Sequence, residues 1–220
     1  MKKNKGIKRI LGLLVCMLLL MGITTAVWAK APADVKISAQ KSNVNGKKFT
    51  IYWKSAADAQ GYDLQLYSLN KKLLLQKRVE APATSYTLSP VKAGTFYRFR
   101  IRGYQKVTNP YTGLKRTVYG KYTTIYVGQQ PKVKFSWIDK KTTRAVWTAV
   151  DGAVSYNVYL ATSRGGDYKK QGTVKVNEMK LKKLKMDTNY YVYVTANYKD
   201  KKVSYSTPMT NCYPFRLQNK

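Results

Sequence analysis

The side chains most often recruited for catalysis are thinly represented in this chain. Among 220 residues there is no histidine, the group that most often moves protons in active sites and that serine triads and zinc centres commonly need. Two pairs, Ser38 with Lys41 and Ser68 with Lys71, have the offset at which a lysine can activate a serine nucleophile. Lysine is so frequent here that such offsets arise by chance. The Ser-Asp-Asn and Lys-Thr-Gly partner motifs are missing, and the local pattern is strand or turn where that nucleophile opens a helix. The ten carboxylates are scattered, and Asp58, Asp139, Asp151 and Asp167 fall at turn positions, where aspartate satisfies nearby backbone N–H groups. The sequence has no aspartate-rich calcium loop and no phosphate-cradling glycine loop. These observations predict a non-enzyme with no metal site and no cofactor.

Binding chemistry is better supplied. The chain carries 41 lysines and arginines against 10 acidic residues, and 19 tyrosines. Its first nine residues include five basic and no acidic side chains, an apolar run follows over residues 10–27, and Val27-Trp28-Ala29 puts small residues three and one before Lys30. That order reads as a signal peptide over residues 1–29. An uncleaved anchor is the alternative, because an apolar run of about 18 residues is at the lower limit for crossing a bilayer. Cleavage removes five of the 41 basic residues and no acidic one, so 36 − 10 leaves a net charge of +26 and no membrane span. Such a surface attracts polyanions at long range; outside a cell these are anionic wall polymers, acidic polysaccharides, lipid headgroups or nucleic acid. Cys16 follows Val15, where a lipidation motif wants a small residue, and Cys212 is then the one remaining cysteine, so no intramolecular disulfide can form. An odd cysteine can mark intermolecular pairing; more often it is a small buried hydrophobe.

The elements that position these groups repeat. Phe49-Thr50-Ile51-Tyr52-Trp53 returns in outline as Arg144-Ala145-Val146-Trp147, and the segment from Ala59 to Tyr67 aligns at the same offset with that from Ala153 to Ala161. Thr95-Phe96-Tyr97-Arg98-Phe99-Arg100-Ile101 aligns with Thr188-Asn189-Tyr190-Tyr191-Val192-Tyr193-Val194. Each copy is a string of short segments rich in Val, Tyr, Thr and Ile, separated by turn residues, which predicts an all-β sandwich or barrel. Alternation sends Phe49, Ile51, Trp53, Tyr62, Leu64, Leu66, Tyr97, Phe99 and Ile101 inward in the first copy. In the second it sends Trp147, Tyr156, Val158, Leu160, Tyr190, Val192 and Val194 inward.

A tryptophan on the second strand, a Gly/Ser-Tyr-x-Φ-x-Φ third strand, and the step from Val91 to Tyr97 or from Leu184 to Tyr190 resemble tandem fibronectin type III domains of a bacterial secreted or cell-surface type. The resemblance implies two immunoglobulin-like sandwiches, over residues 30–128 and 129–220, each pinned by a tyrosine corner in which the phenol bonds backbone a few residues upstream. Asp187 stands where the first copy has Gly94, and Pro208 interrupts the last strand, so the second domain departs most at its closing edge. The join Val127-Gly128-Gln129-Gln130-Pro131 is short and contains a proline, which predicts limited freedom between the domains. Arg164-Gly165-Gly166-Asp167 is one residue longer than an integrin-binding tripeptide and reads as a turn.

With Tyr97, Phe99 and Ile101 inside, Arg98, Arg100 and Arg102 form an outward row, and the family's topology makes Tyr67 and, depending on register, Tyr122 and Tyr126 candidates for the same face. The matching face of the second copy presents Tyr159, Tyr191 and Tyr193. These are candidate sites for anions and for sugar rings respectively, although tyrosine and arginine are also ordinary cross-strand neighbours. A third candidate is the connection 105–118, longer than its counterpart 198–203, carrying Lys106, Tyr111, Lys115 and Arg116. The expectation is a non-catalytic secreted or cell-envelope binding or spacer protein held by charge to an anionic wall polymer or polysaccharide, or to a surface protein. The alternative is a glycan-binding module using the tyrosine face. Specific nucleic-acid binding is not expected of an exported chain.

Overall fold

A computed structural model of the chain describes residues 29–42, 48–89 and 91–218. The segment read as a signal peptide lies outside the described residues except for Ala29. Sixteen strands and no helix make up the secondary structure described. The first eight are β1 (Lys36–Ser42), β2 (Phe49–Lys54), β3 (Gly61–Ser68), β4 (Leu73–Glu80), β5 (Ser85–Leu88), β6 (Phe96–Thr108), β7 (Lys115–Tyr119) and β8 (Thr123–Gly128). The second eight are β9 (Val133–Asp139), β10 (Thr142–Trp147), β11 (Ser155–Ala161), β12 (Lys169–Val174), β13 (Glu178–Leu181), β14 (Asn189–Asp200), β15 (Val203–Ser206) and β16 (Tyr213–Arg216).

The two sets are built alike. One sheet of the first runs β1-β2-β5 and the other β4-β3-β6, with β7 and β8 both pairing β6; in the second set β9-β10-β13 faces β12-β11-β14, with β15 and β16 both on β14. All of these strand pairings are antiparallel. The last strand of each copy is therefore split in two, after Tyr119 in one and around Pro208 in the other. Proline cannot donate to a ladder, yet the second copy closes as the first does.

Alternation places the cores correctly, with one exception. Phe49, Ile51, Trp53, Tyr62, Leu64, Leu66, Tyr97, Phe99 and Ile101 are buried together, as are Trp147, Tyr156, Val158, Tyr190, Val192 and Val194. Leu160 is half-buried at the margin of the second core, because the β11–β12 register slips by one residue between Val158 and Tyr159 and the ladder is locally loosened there. The duplication extends to geometry. Trp53 meets Tyr62 edge-on at 5.3 Å and Trp147 meets Tyr156 at 5.6 Å. The Tyr62 and Tyr156 hydroxyls accept the backbone N–H groups of Ala56 and Val150. Both tyrosine corners form: the Tyr97 hydroxyl accepts from Lys92 N–H at 2.8 Å and the Tyr190 hydroxyl from Lys185 N–H at 2.7 Å. At the position after each corner turn Gly94 has φ +70° and Asp187 has φ +54°. Aspartate is among the few side chains that tolerate this left-handed region, so the missing glycine leaves the second corner intact.

The connection 105–118 is not a long loop. β6 continues to Thr108 and pairs β7 from Tyr104↔Tyr119 to Thr108↔Lys115, so only residues 109–114 remain as a tip. The Asn109 side chain accepts the N–H groups of Tyr111 and Thr112, and Gly113 turns at φ +68°. Local polarity had the look of a loop; cross-strand pairing, which is non-local, makes it a hairpin.

Candidate functional site

The arginine row lies on the outer face of β6. Cross-strand register sets Arg98 opposite Tyr67, Arg100 opposite Gln65 and Arg102 opposite Asp63. Each guanidinium is covered by a ring: Arg98 stands 4.5 Å from Tyr67, Arg100 stands 3.9 Å from Tyr122, and Arg102 stands 3.8 Å from Tyr119 and 4.4 Å from Tyr122. Arg78 of β4 continues the series over Tyr104 at 4.4 Å. The buried Asp63 carboxylate binds Arg78 at 2.8 Å and Arg102 at 3.3 Å. Its hydrogen bond raises the Arg78 pKa further above an already high value. Tyr104 points to this outer face yet is fully buried beneath Arg78, and burial, then Glu80, push its pKa up to about 12. A cation over an aromatic face gains about 0.5–1 kcal/mol where exposed and more when desolvated. The row is thus a tyrosine–arginine ladder with its own carboxylate, and the ring-covered faces of its guanidiniums are turned away from solvent. Sequence reading found the three arginines and missed Asp63, Arg78, Tyr104 and Tyr119. Asp63 sits between buried Tyr62 and Leu64, so alternation alone could have placed this carboxylate on the arginine face.

The second tyrosine face is assembled as expected from β11 and β14. Tyr159 is directly opposite Tyr193, and Tyr191 is opposite Ala161. Tyr168, which precedes β12, packs on Tyr193 at 4.3 Å, and Arg164 lies 5.8 Å over Tyr191. The Tyr168 hydroxyl donates to the Arg164 carbonyl, and burial together with the neighbouring Cys212 thiol raises its pKa. All three predicted tyrosines are half-buried. The Gly165-Gly166 segment is a turn closed by Gly166 N–H on the Ser163 carbonyl. On the β6–β7 hairpin, Lys106, Lys115 and Arg116 are exposed beside a tip where Tyr111 is 80% and Leu114 is 71% exposed.

Tyr126 lies directly opposite Arg98 on the outer face, as expected from register, but the second strand set covers it. It is buried in the joint between the two strand sets, where it stacks on Tyr198 at 4.3 Å and leans on Tyr205 at 5.2 Å. Phe96 packs on Tyr198 at 5.4 Å, and both Phe96 and Tyr126 belong to the hydrophobic core of the second set. Backbone seals the contact: Phe96 N–H donates to the Asp151 carbonyl at 3.2 Å and Asp151 N–H to the Gly94 carbonyl at 2.8 Å. Gly152 turns there at φ +82°, and a Cβ on it would fall 2.5 Å from Leu69. Burial first, then the Asp200 carboxylate, push the Tyr126 phenol up to about 12. Gln130 in the connection is buried, and its side chain accepts Thr210 and Asn211 N–H groups and donates to the Asn211 carbonyl. The joint is therefore a packed interface with hydrogen bonds on both sides, beyond what a short proline-bearing link would impose.

Among the described residues no cluster of three or more His, Cys, Asp or Glu could hold a metal ion, and no helix is long and apolar enough to cross a membrane. The family model "Fibronectin type III domain" matches residues 30–113, and "Interferon-alpha/beta receptor, fibronectin type III" matches 117–215. No curated protein matches the sequence. Among solved structures, the two fibronectin type III domain segment from chicken tenascin is 22% identical, with 86% of this chain and 100% of that chain covered and a TM-score of 0.34. The chicken CNTN1 FN1-FN3 domains are 16% identical, with 86% and 66% covered and a TM-score of 0.35. The first model covers β1–β6 and the second covers most of β7, all of β8–β15 and β16 as far as Phe215, so the two together span both strand sets, and the chain is a tandem of two fibronectin type III-like, immunoglobulin-like β-sandwich domains.

Proposed function

We propose that this chain is a non-catalytic binding and spacer protein of bacterial secreted or cell-surface type, retained by charge on anionic cell-envelope polymers. Fibronectin type III domains are typically binding or spacer modules of extracellular and cell-surface proteins. The observation that carries the reading is the joint: Tyr126, Phe96, Tyr198 and Tyr205 hold the two sandwiches in one relation, which a spacer requires and two independent binders do not. The net charge of +26 from residue 30 onward supports retention on polyanions. Fractionating producing cells into medium, salt wash and pellet tests this. Recovery in the salt wash is expected, since screening weakens contacts between exposed charges; retention unchanged in high salt sinks the charge mechanism.

A second reading, glycan binding, rests on Tyr159, Tyr191 and Tyr193 sharing one half-buried face. It calls for salt-insensitive binding to wall glycan that Tyr191→Ala abolishes.

A further inference from the structure

The domain tandem has two unlike ends. The Asp200 end of β14 meets Tyr126 at the joint, so a twelve-residue strand at about 3.3 Å per residue carries its Asn189 end roughly 40 Å away. At that distal end two connections lie together, the β9–β10 turn and the β13–β14 loop, tied by Leu184 N–H donating to the Lys141 carbonyl at 3.0 Å. They present Lys140, Lys141, Lys182, Lys183 and Lys185, all exposed. None of these five takes part in the ion pairs formed by Asp63, Glu178 and Asp187. Both carboxylates at this end are engaged: Asp139 accepts Lys141 N–H at 2.7 Å, and Asp187 pairs with Arg216. Lys183 is held at φ +58°, a left-handed conformation for which glycine or asparagine is the ordinary choice.

Beside the lysines stands an apolar pair. The β9–β10 register slips between Thr142 and Thr143, which face Asp139 and Trp137, leaving Ile138 as the extra residue. A bulge of this kind re-aims side chains at a sheet end. Trp137, which strict alternation with Val133 and Phe135 would send inward, is 39% exposed, and Ile138 is 47% exposed. A soluble phosphate polymer has nothing to cover these two side chains. A bilayer interface does, since tryptophan settles at headgroup depth while lysines meet anionic lipid.

We propose that this distal end of the second domain docks on an anionic phospholipid surface, with the five lysines against headgroup phosphates and Trp137 and Ile138 in the interface. This goes beyond charge retention on wall polymers and does not depend on it.

The test uses the chain from Lys30 onward, which holds both sandwiches, with vesicles of phosphatidylglycerol and phosphatidylcholine and with soluble poly(glycerol phosphate). Trp53 and Trp147 are each 2% exposed, so a change in tryptophan emission reports Trp137. Phosphatidylglycerol vesicles are expected to shift that emission to the blue and brominated lipid to quench it, with neither effect in Trp137→Phe. Replacing Lys182, Lys183 and Lys185 together by alanine is expected to weaken vesicle binding on the order of a hundredfold, from roughly 1 kcal/mol per lysine near an anionic surface. Lys140→Ala with Lys141→Ala, on the other loop, is expected to weaken it by more than tenfold, and an unchanged melting temperature certifies the fold of each variant. Vesicle binding with unmoved emission, or with full affinity in folded variants of both loops, overturns the proposal. Binding to the soluble polymer but not to vesicles also overturns it, while leaving the proposed retention on envelope polymers standing.

Discussion

Tyr126 of the first domain and Tyr198 of the second stack with ring centroids 4.3 Å apart and planes at 29°. The contact joins the end of one domain's last strand to the turn-proximal end of β14 in the other. Tyr126→Ala is expected to destabilise the tandem by about 3 kcal/mol, the usual range for truncating a buried aromatic being about 3–5 kcal/mol. Urea unfolding measures the loss, and small-angle scattering is expected to show a broader distribution of interdomain angles. An unchanged scattering profile would mean that the backbone bonds at Asp151 suffice.

Alkaline titration addresses the same joint. Burial and Asp200 hold the proton on Tyr126 up to about pH 12, whereas an unfolded phenol loses it near pH 10. Between those values the folded state binds more protons than the unfolded one, so this contribution is complete below about pH 10 and is lost as pH rises towards 12. Two pH units correspond to roughly 3 kcal/mol. Unfolding curves at pH 9 to 12 are expected to show Tyr126→Phe declining less steeply than the parent.

The corner hydroxyls offer a matched pair of measurements. Tyr97→Phe strips the acceptor from Lys92 N–H and Tyr190→Phe strips it from Lys185 N–H. An amide left without its partner in a part-buried setting costs about 1–3 kcal/mol. Similar losses are expected at the two sites, despite Asp187 replacing the glycine of the first corner. A much larger loss at Tyr190 would show that the aspartate weakens that turn.

Asp63 organises the arginine ladder. Asp63→Asn removes the charge that Arg78 and Arg102 share, and charge-assisted hydrogen bonds contribute about 1.5–3 kcal/mol. The expected loss is near 2 kcal/mol, because Arg78 is partly solvated. Binding of the protein to anionic polymer is expected to rise slightly in the same variant, since two guanidiniums lose their internal partner; polymer co-sedimentation at low salt reads this.

Gly152 has φ +82° with Leu69 across the joint. Gly152→Ala is expected to cost at least 1–2 kcal/mol, the usual penalty for a Cβ in the left-handed region. Differential scanning calorimetry checks it, and Leu69→Ala in the same chain is expected to recover part of the loss by opening space.

Sequence alone determined what is local and periodic in this protein. Two-residue alternation sorts Tyr97, Phe99 and Ile101 from Arg98, Arg100 and Arg102, because neighbouring side chains on a strand point to opposite faces. The duplicated Trp53–Tyr62 and Trp147–Tyr156 pairs and both tyrosine corners follow from residues a few positions apart. Tertiary structure decided what covers each outward face. Strand pairing sets Asp63 opposite Arg102, brings Tyr119 onto the arginine row and turns the connection 105–118 into a hairpin, while domain packing buries Tyr126 in the second domain's core. A period names a side of a strand, but the partner on that side comes from chain tens of residues away, through register and domain packing that no local pattern encodes.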